Sequence, residues 1–338
     1  MAACDIGIDL GTTNVRIYVN GKGLVIDEPS VIAVRKQTGE LVAVGEKAYR
    51  MLGKNPPEIE VCYPLEAGVI SDYELNERMI RELLQRASNS MLMKPRVCLC
   101  VHTLITDVER RAVVDAAVSA GARTVYLIEE PIAAAIGAGI PLSKPSGVMV
   151  VDMGGGTVDV AVLSLNGTVV SRSSKIGGQK LDQAIARKVF QDYKLFIGES
   201  TAEHIKKEIG SVKEIDEGIC HRVRGRDLAT GLPRAISFSQ KEAYDAIAEF
   251  ISQILQVIRD VLEVTPPELI GDVYTHGILL TGGGALLRGM PERITEETGV
   301  PCYLADDPCG CVALGTSMAF SMLDTFNTGF INAATYEH

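Results

Sequence analysis

Asp9-Leu10-Gly11-Thr12-Thr13-Asn14 and Asp152-Met153-Gly154-Gly155-Gly156-Thr157 are the two stretches that decide how this chain folds. Each follows an apolar run, Ile6 to Ile8 or Val148 to Val151, and precedes another, Val15 to Val19 or Val158 to Leu163. Each is therefore expected as the turn of a β-hairpin, with an acid at its entrance and small residues at its tip. Small residues let backbone N–H groups come close to an anion, and a run of them forms a concave anion site. The aspartates cannot bind phosphate themselves, but they can hold a hydrated Mg²⁺ that does. Two such hairpins facing each other would clamp a nucleotide's phosphates from both sides. Their spacing, about half the chain, implies an internally duplicated architecture.

The familiar phosphate motifs do not fit. No G-x-x-x-x-G-K-[ST] occurs, which excludes a P-loop NTPase. A dinucleotide fingerprint needs glycines that open a helix, whereas Gly154 to Gly156 run into Val158-Asp159-Val160-Ala161-Val162-Leu163, which alternates like a strand. A third glycine run, Gly282-Gly283-Gly284, follows the strand Ile278 to Thr281 and is expected to open a helix at Ala285, with its amides toward a nucleotide.

With 338 residues the chain should form two domains with ample core. Basic and acidic residues number 33 and 43, a net charge of −10. That balance argues against nucleic acid as the main partner and against purely electrostatic attachment to an anionic membrane. No apolar run approaches the roughly 20 residues of a membrane span. Met1-Ala2-Ala3-Cys4-Asp5 leads straight into the first strand, leaving no room for a signal peptide, so a cytoplasmic protein is expected. The eight cysteines are scattered, and Cys98 and Cys100 read as small core residues of a buried strand. Neither the thiols nor the five histidines show metal-ligand spacing.

The spacing of Met79, Ile80, Leu83, Leu84 and Ala87 predicts a helix over 72–90. Thr106-x-x-Glu109 and Ser239-x-x-Glu242 predict capping boxes, the second opening a long helix that stops at Pro266-Pro267. Glu129-Glu130-Pro131 starts an Ala-rich helix, and a polar β-like insert spans 210–238.

Further blocks then reveal a resemblance. Asp27-Glu-Pro-Ser-Val-Ile-Ala33, Thr106-Asp-Val-Glu-Arg-Arg-Ala112, Leu127-Ile-Glu-Glu-Pro-Ile-Ala-Ala-Ala-Ile-Gly137, Thr230-Gly-Leu-Pro-Arg234 and Leu280-Thr-Gly-Gly-Gly-Ala-Leu-Leu-Arg-Gly289 join the two loops. Together they resemble the actin-fold ATPases, and specifically the MreB family of bacterial actin-like rod-shape proteins, from Asp5 to about Gly315. The resemblance implies an α/β, actin-like (ribonuclease H-like) duplicated fold: two domains, each with a core sheet and helices, and a nucleotide in the cleft between them. The expected division is 1–145, with a small subdomain near 33–68, and 146–324, with one near 182–243, then a tail over 325–338.

The resemblance also implies ATP and Mg²⁺ as ligands and assigns roles. Gly11, Thr12, Thr13 and Asn14 would line the first phosphate loop; Gly154, Gly155, Gly156 and Thr157 the second. Asp9 and Asp152 would position Mg²⁺ through its water shell. Gly178, Asp182, Glu208, Gly282, Gly283, Gly284 and Ala285 would border the nucleoside. Glu130 would orient the attacking water, assisted by Thr157; a charge capping the following helix is the plainer role for the same residue. The implied function is a filament-forming ATPase on the inner face of the cytoplasmic membrane that organises cell-wall synthesis. Its expected partners are copies of itself, the membrane surface and membrane-bound cell-wall and cell-shape proteins, with no nucleic acid. Met91-Leu92-Met93 is the expected membrane loop. A chaperone-like ATPase and a small-molecule kinase share the fold and are the alternatives.

Three departures from the family pattern stand out. His102 occupies a usual proline position, Val158-Asp159 replaces the common Thr-Glu, and Arg16 is an unusual cation that shares a strand face with Asn14.

Overall fold

The computed structural model describes residues 5–87, 94–213, 218–323 and 330–332. Met91, Leu92 and Met93 lie outside them. Two large sheets repeat one plan. In the first, the hairpin strands Gly23–Pro29, Asn14–Val19 and Asp5–Leu10 lead to Arg96–Val101 and Thr124–Glu129, both running parallel to Asp5–Leu10. In the second, Gly167–Ser174, Val158–Ser164 and Val148–Met153 lead to Ile278–Thr281 and Cys302–Leu304, again in parallel. Parallel neighbours need long crossovers, and helices supply them on the sheet faces.

The helical spacing predicted for the first half is present as Tyr73–Ala87, with Met79, Ile80, Leu83, Leu84 and Ala87 all buried against the first sheet. Both capping boxes form, at Thr106 for Asp107–Ser119 and at Ser239 for Gln240–Val264. The latter helix buries Ile247, Ile251, Ile254, Leu255 and Ile258 under the second sheet. Truncating one of these to alanine would cost roughly 2–5 kcal/mol. The polar insert is the hairpin Cys220–Asp227 with Pro233–Ser239, joined by Leu195–Phe196 into a three-stranded sheet. A second small sheet pairs Leu41–Val44, Ile32–Arg35 and Ile59–Cys62. Helices Pro267–His276 and Met290–Thr298 were not anticipated; both are short and begin with proline in their first turn.

The base of the cleft is built from small residues. Helices Glu130–Gly137 and Cys311–Met318 approach so closely that a Cβ on Gly137 would strike the Cys311 backbone, and one on Gly315 the Ala133 backbone. This contact belongs to a third core that takes residues from both large sheets, including Cys98, Cys100, Val150 and Ala161. The Ala-rich composition of the first helix thus serves a backbone-to-backbone approach.

Two expectations change. Phe330–Asn332 is not part of a separate tail but an antiparallel edge strand on Thr124–Glu129. The chain therefore returns to the first sheet after the second. Gly283–Leu286 is one 3₁₀ turn, where a helix was expected to open at Ala285. Gly282 enters it with φ of 80°, and a side chain there would also meet the Met153 carbonyl.

Candidate functional site

The two loops meet tip to tip. A Cβ on Gly155 would collide with the Thr13 side chain, and one on Gly156 with Thr12. The hydroxyl-bearing loop fits into the space left by the glycine loop. Each is tied from behind: Ser30 Oγ donates to the Gly11 carbonyl at 2.6 Å, and Gly68 N–H to Thr12 Oγ1 at 2.9 Å. Gly178 and Gln179, opening helix Gly178–Tyr193, donate their N–H groups to the carbonyls of Gly154 and Gly155 at 3.0 and 2.9 Å. Loops held through their carbonyls are pre-organised for anions.

Above them opens a cavity of about 1150 Å³. Asp9, the Gly11–Asn14 loop, Glu130, Asp152, the Gly154–Thr157 loop, Gly178, Asp182 and Gly282 to Gly284 all line it. Two assigned residues do not. Glu208 is exposed on helix Glu199–Ile209; Glu203, Lys206 and Lys207 of that helix line the cavity. Residues 199, 203, 206, 207 and 210 follow helical spacing, and Glu208 falls off that stripe. Ala285 is buried in the second core, behind the glycines that line the cavity.

The helical stripe also supplies residues the sequence reading did not assign. Lys206 Nζ lies 2.8 Å from Asp182 Oδ1 and donates to the Gly178 carbonyl at 3.0 Å. At the cavity mouth the Tyr49 hydroxyl donates to Glu203 Oε2 at 2.9 Å, and Lys207 pairs with Glu203 at 2.6 Å. The Tyr49 contact joins segments 154 positions apart. Helical periodicity held the signal for the lysines; nothing local announced Tyr49.

Four acids converge beneath the loops: Asp9, Asp152, Glu130 and Asp159. Burial pushes each carboxyl above its usual range, and mutual repulsion adds to the effect on Glu130. Asp152 is raised to about 7 by burial, although Thr281 Oγ1 donates to its Oδ1 at 2.7 Å. Cys100 Sγ donates to Asp9 Oδ1 at 3.2 Å. Arg16, which lines the cavity, opposes the shift at Asp9 and Asp152 and pairs with Asp27 at 3.0 Å. A buried acidic cluster with so little cation is the charge pattern that accommodates a divalent ion. Among the described residues no three His, Cys, Asp or Glu side chains converge to ligate an ion directly. Asp9 and Asp152 both line the cavity, and their carboxylates fit the water shell of a divalent cation. Cys309 lines the cavity, whereas Cys311 is buried and donates to the Asp307 carbonyl at 2.9 Å.

The family model described as MreB/Mbl protein matches residues 3–328. This chain belongs to the MreB/Mbl family. It is 46% identical over 325 residues to the cell shape-determining protein Mbl of Bacillus subtilis, covering 96% of this chain and 98% of that protein. To the cell shape-determining protein MreB of Escherichia coli K12 it is 47% identical over 330 residues, covering 96% and 95%. Among solved structures, MreB5 of Spiroplasma citri bound to ADP superposes with a TM-score of 0.90 at 36% identity, covering 95% of this chain and 97% of that one. The fold is accordingly the α/β, actin-like one in two sheet-bearing domains that the sequence led us to expect.

Proposed function

We propose that this MreB/Mbl-family chain is an ATP-hydrolysing, filament-forming protein that works on the inner face of the cytoplasmic membrane and organises cell-wall synthesis to maintain rod shape. The observation that carries the reading is the interlocked pair of loops over a buried acidic cluster, at the floor of a cavity large enough for a nucleotide. Relatives named as cell shape-determining, and a similar protein solved with ADP, support it. The nucleotide is taken between domains 1–145 and 146–324.

In this reading the loop amides, with Thr12, Thr13 and Asn14, receive the phosphates. Asp182, oriented by Lys206, accepts from the sugar hydroxyls. Mg²⁺, when bound through water to Asp9 and Asp152, neutralises phosphate charge. Glu130 and Thr157 hold the attacking water in line. Phosphoryl transfer asks mainly for positioning and charge stabilisation, so a carboxylate of modest basicity suffices. Head-to-tail contacts that do not close into a ring would build an open filament. The segment Met91-Leu92-Met93, repeated along it, would supply membrane avidity.

Negative-stain electron microscopy of the purified protein on lipid, with Mg·ATP and without nucleotide, tests the proposal. Nucleotide-dependent filaments on the lipid are expected. Folded particles that bind ATP but never polymerise across a range of concentrations would overturn it and favour a chaperone-like or kinase role. Undiminished liposome flotation of a Leu92→Ser/Met93→Ser variant would remove the membrane assignment alone.

A further inference from the structure

Strand Asn14–Val19 alternates: Val15, Ile17 and Val19 are buried in the first core, while Asn14, Arg16 and Tyr18 face the other side of the sheet. Asn14 and Arg16 both line the cavity, and among the described lining residues before residue 146 Arg16 is the one cation. Register sets it between two acids that also line the cavity, Asp9 on one neighbouring strand and Asp27 on the other. Its ion pair is with Asp27, Nε to Oδ1 at 3.0 Å. Among the described residues it makes no ion pair with Asp9, and its terminal nitrogens make no hydrogen bond. The partners differ in exposure: the Arg16 side chain is 16% exposed and that of Asp27 45%. A carboxylate so open to water loses little when its cation leaves, and an ion pair of this kind is weak. The lysines that line the cavity are committed more firmly. Lys206 is held by Asp182 and the Gly178 carbonyl, and Lys207 by Glu203.

We propose that Arg16 is a phosphate-binding residue of this cavity: its guanidinium exchanges Asp27 for the phosphate oxygens of a nucleoside di- or triphosphate. This rests on the nucleotide reading above. Arg16 lies two residues beyond Asn14, roughly 6.5 Å along the strand, and in register with the acid that enters the loop. Its charge therefore belongs to the end of the cavity where the two loops meet, and not to the end held by Asp182 and Lys206. A guanidinium presents its terminal N–H groups as a planar fork that a phosphate accepts through two oxygens, and the contact of Nε with Asp27 leaves that fork unused. The exchange gives up a weak pair for a charge-assisted one, and that difference drives it. Arginine stays protonated throughout, so no proton moves. Asp27 passes to water, and Asp9 remains open to the water shell of a divalent cation.

Equilibrium binding of ADP and of ATP, each with Mg²⁺ and with EDTA, tests this on the full-length parent, Arg16→Ala, Arg16→Gln, Arg16→Lys and Asp27→Asn. Melting temperatures are recorded in parallel. Arg16→Ala and Arg16→Gln should weaken both nucleotides by about 10- to 100-fold, the loss expected for a charge-assisted pair, in EDTA as well as in Mg²⁺. Arg16→Lys, which keeps the charge and loses the fork, should recover part of that loss. Asp27→Asn removes the competitor and should tighten binding by about two- to fivefold, in line with a pair of this exposure. The opposite signs are the decisive readout, since a pair that merely braces the hairpin would make both kinds of variant bind worse. If Arg16→Ala fails to fold, Arg16→Gln keeps a long polar side chain on the strand and carries the same comparison. Parental affinity in Arg16→Gln, or Asp27→Asn binding as weakly as the Arg16 variants, would overturn the inference. With a parent that binds nucleotide, either result removes this inference alone. A parent that binds neither ADP nor ATP removes the nucleotide reading with it.

Discussion

The two Asp-led hairpins differ in charge at one pair of equivalent positions. In the first, Asp9 sits in register with Arg16; in the second, Asp152 sits in register with Asp159. Both partners lie seven residues after the loop's aspartate. The first hairpin thus carries its own counter-charge, and the second stacks acid on acid. Duplication preserved the backbone plan while the charge at the equivalent site inverted. The second half consequently depends on a proton or an external cation to stay neutral, and that is where Glu130 adds a further carboxyl. The lesson is that equal scaffolds do not imply equal electrostatics. In our reading one half neutralises and the other poises.

The largest expected effect tests the poised half. Glu130→Ala should keep ATP binding but slow single-turnover hydrolysis by roughly 100-fold or more, in the range for a positioned acid or base. Unchanged hydrolysis would take Glu130 out of the reaction. Next comes the cation. Asp152→Ala should weaken Mg²⁺-dependent nucleotide binding by about 30- to 100-fold, about 2–3 kcal/mol; measured affinities that are equal with and without Mg²⁺ in both proteins would contradict a water-held ion there.

Smaller and opposite shifts should separate the hairpins in the nucleotide-free protein. Removing Arg16 as alanine strips Asp9 and Asp27 of their cation and should lower unfolding free energy by about 1–2 kcal/mol. Removing the charge of Asp159 as asparagine relieves a crowded acid and should raise stability. Denaturant titrations in which both variants move in the same direction would break the comparison. The smallest effect concerns Asp182, which has a cation beside it, as Asp9 does, yet is still raised to about 6, chiefly by burial, with Lys206 acting against the shift. Because its folded value lies above the unfolded one, its ionisation costs stability. That cost is absent below pH about 4 and complete above about 6. The melting-temperature gap between the parent and Asp182→Asn should therefore change between those pH values and level off above them. A gap independent of pH would show that the pair is already compensated.

How much was legible in advance follows the range of the interaction that decides each feature. Both hairpins, both capping boxes and the long amphipathic helix rest on residues within a few positions of one another, and they stand as expected. Glu208 falls outside the cavity lining while Lys206 and Lys207 fall within it, because adjacent helical residues diverge by about 100° and a motif that names three neighbours does not say which one faces the cavity. Ala285 lies in the core and not in the cavity lining because the glycines before it close a single tight turn. The strand Phe330–Asn332 escaped notice because its partner, Thr124–Glu129, lies some two hundred residues earlier.

The amino-acid sequence alone determined the duplicated plan, the two glycine- and threonine-bearing hairpin turns, the family and the acids that enter each turn, since these depend on residue type, spacing and local hydrogen bonding. Only the tertiary structure decided which charges meet. Cross-strand register set Arg16 against Asp9 and Asp159 against Asp152. The approach of the two halves seated Thr12 and Thr13 in the space left by Gly156 and Gly155. Folding also carried Thr103 to Asp159, its N–H donating to Oδ1 at 3.3 Å, a contact that no local pattern encodes. The physical reason is one of range: propensity and capping act over a turn or two of chain, whereas burial and Coulomb interaction act through space.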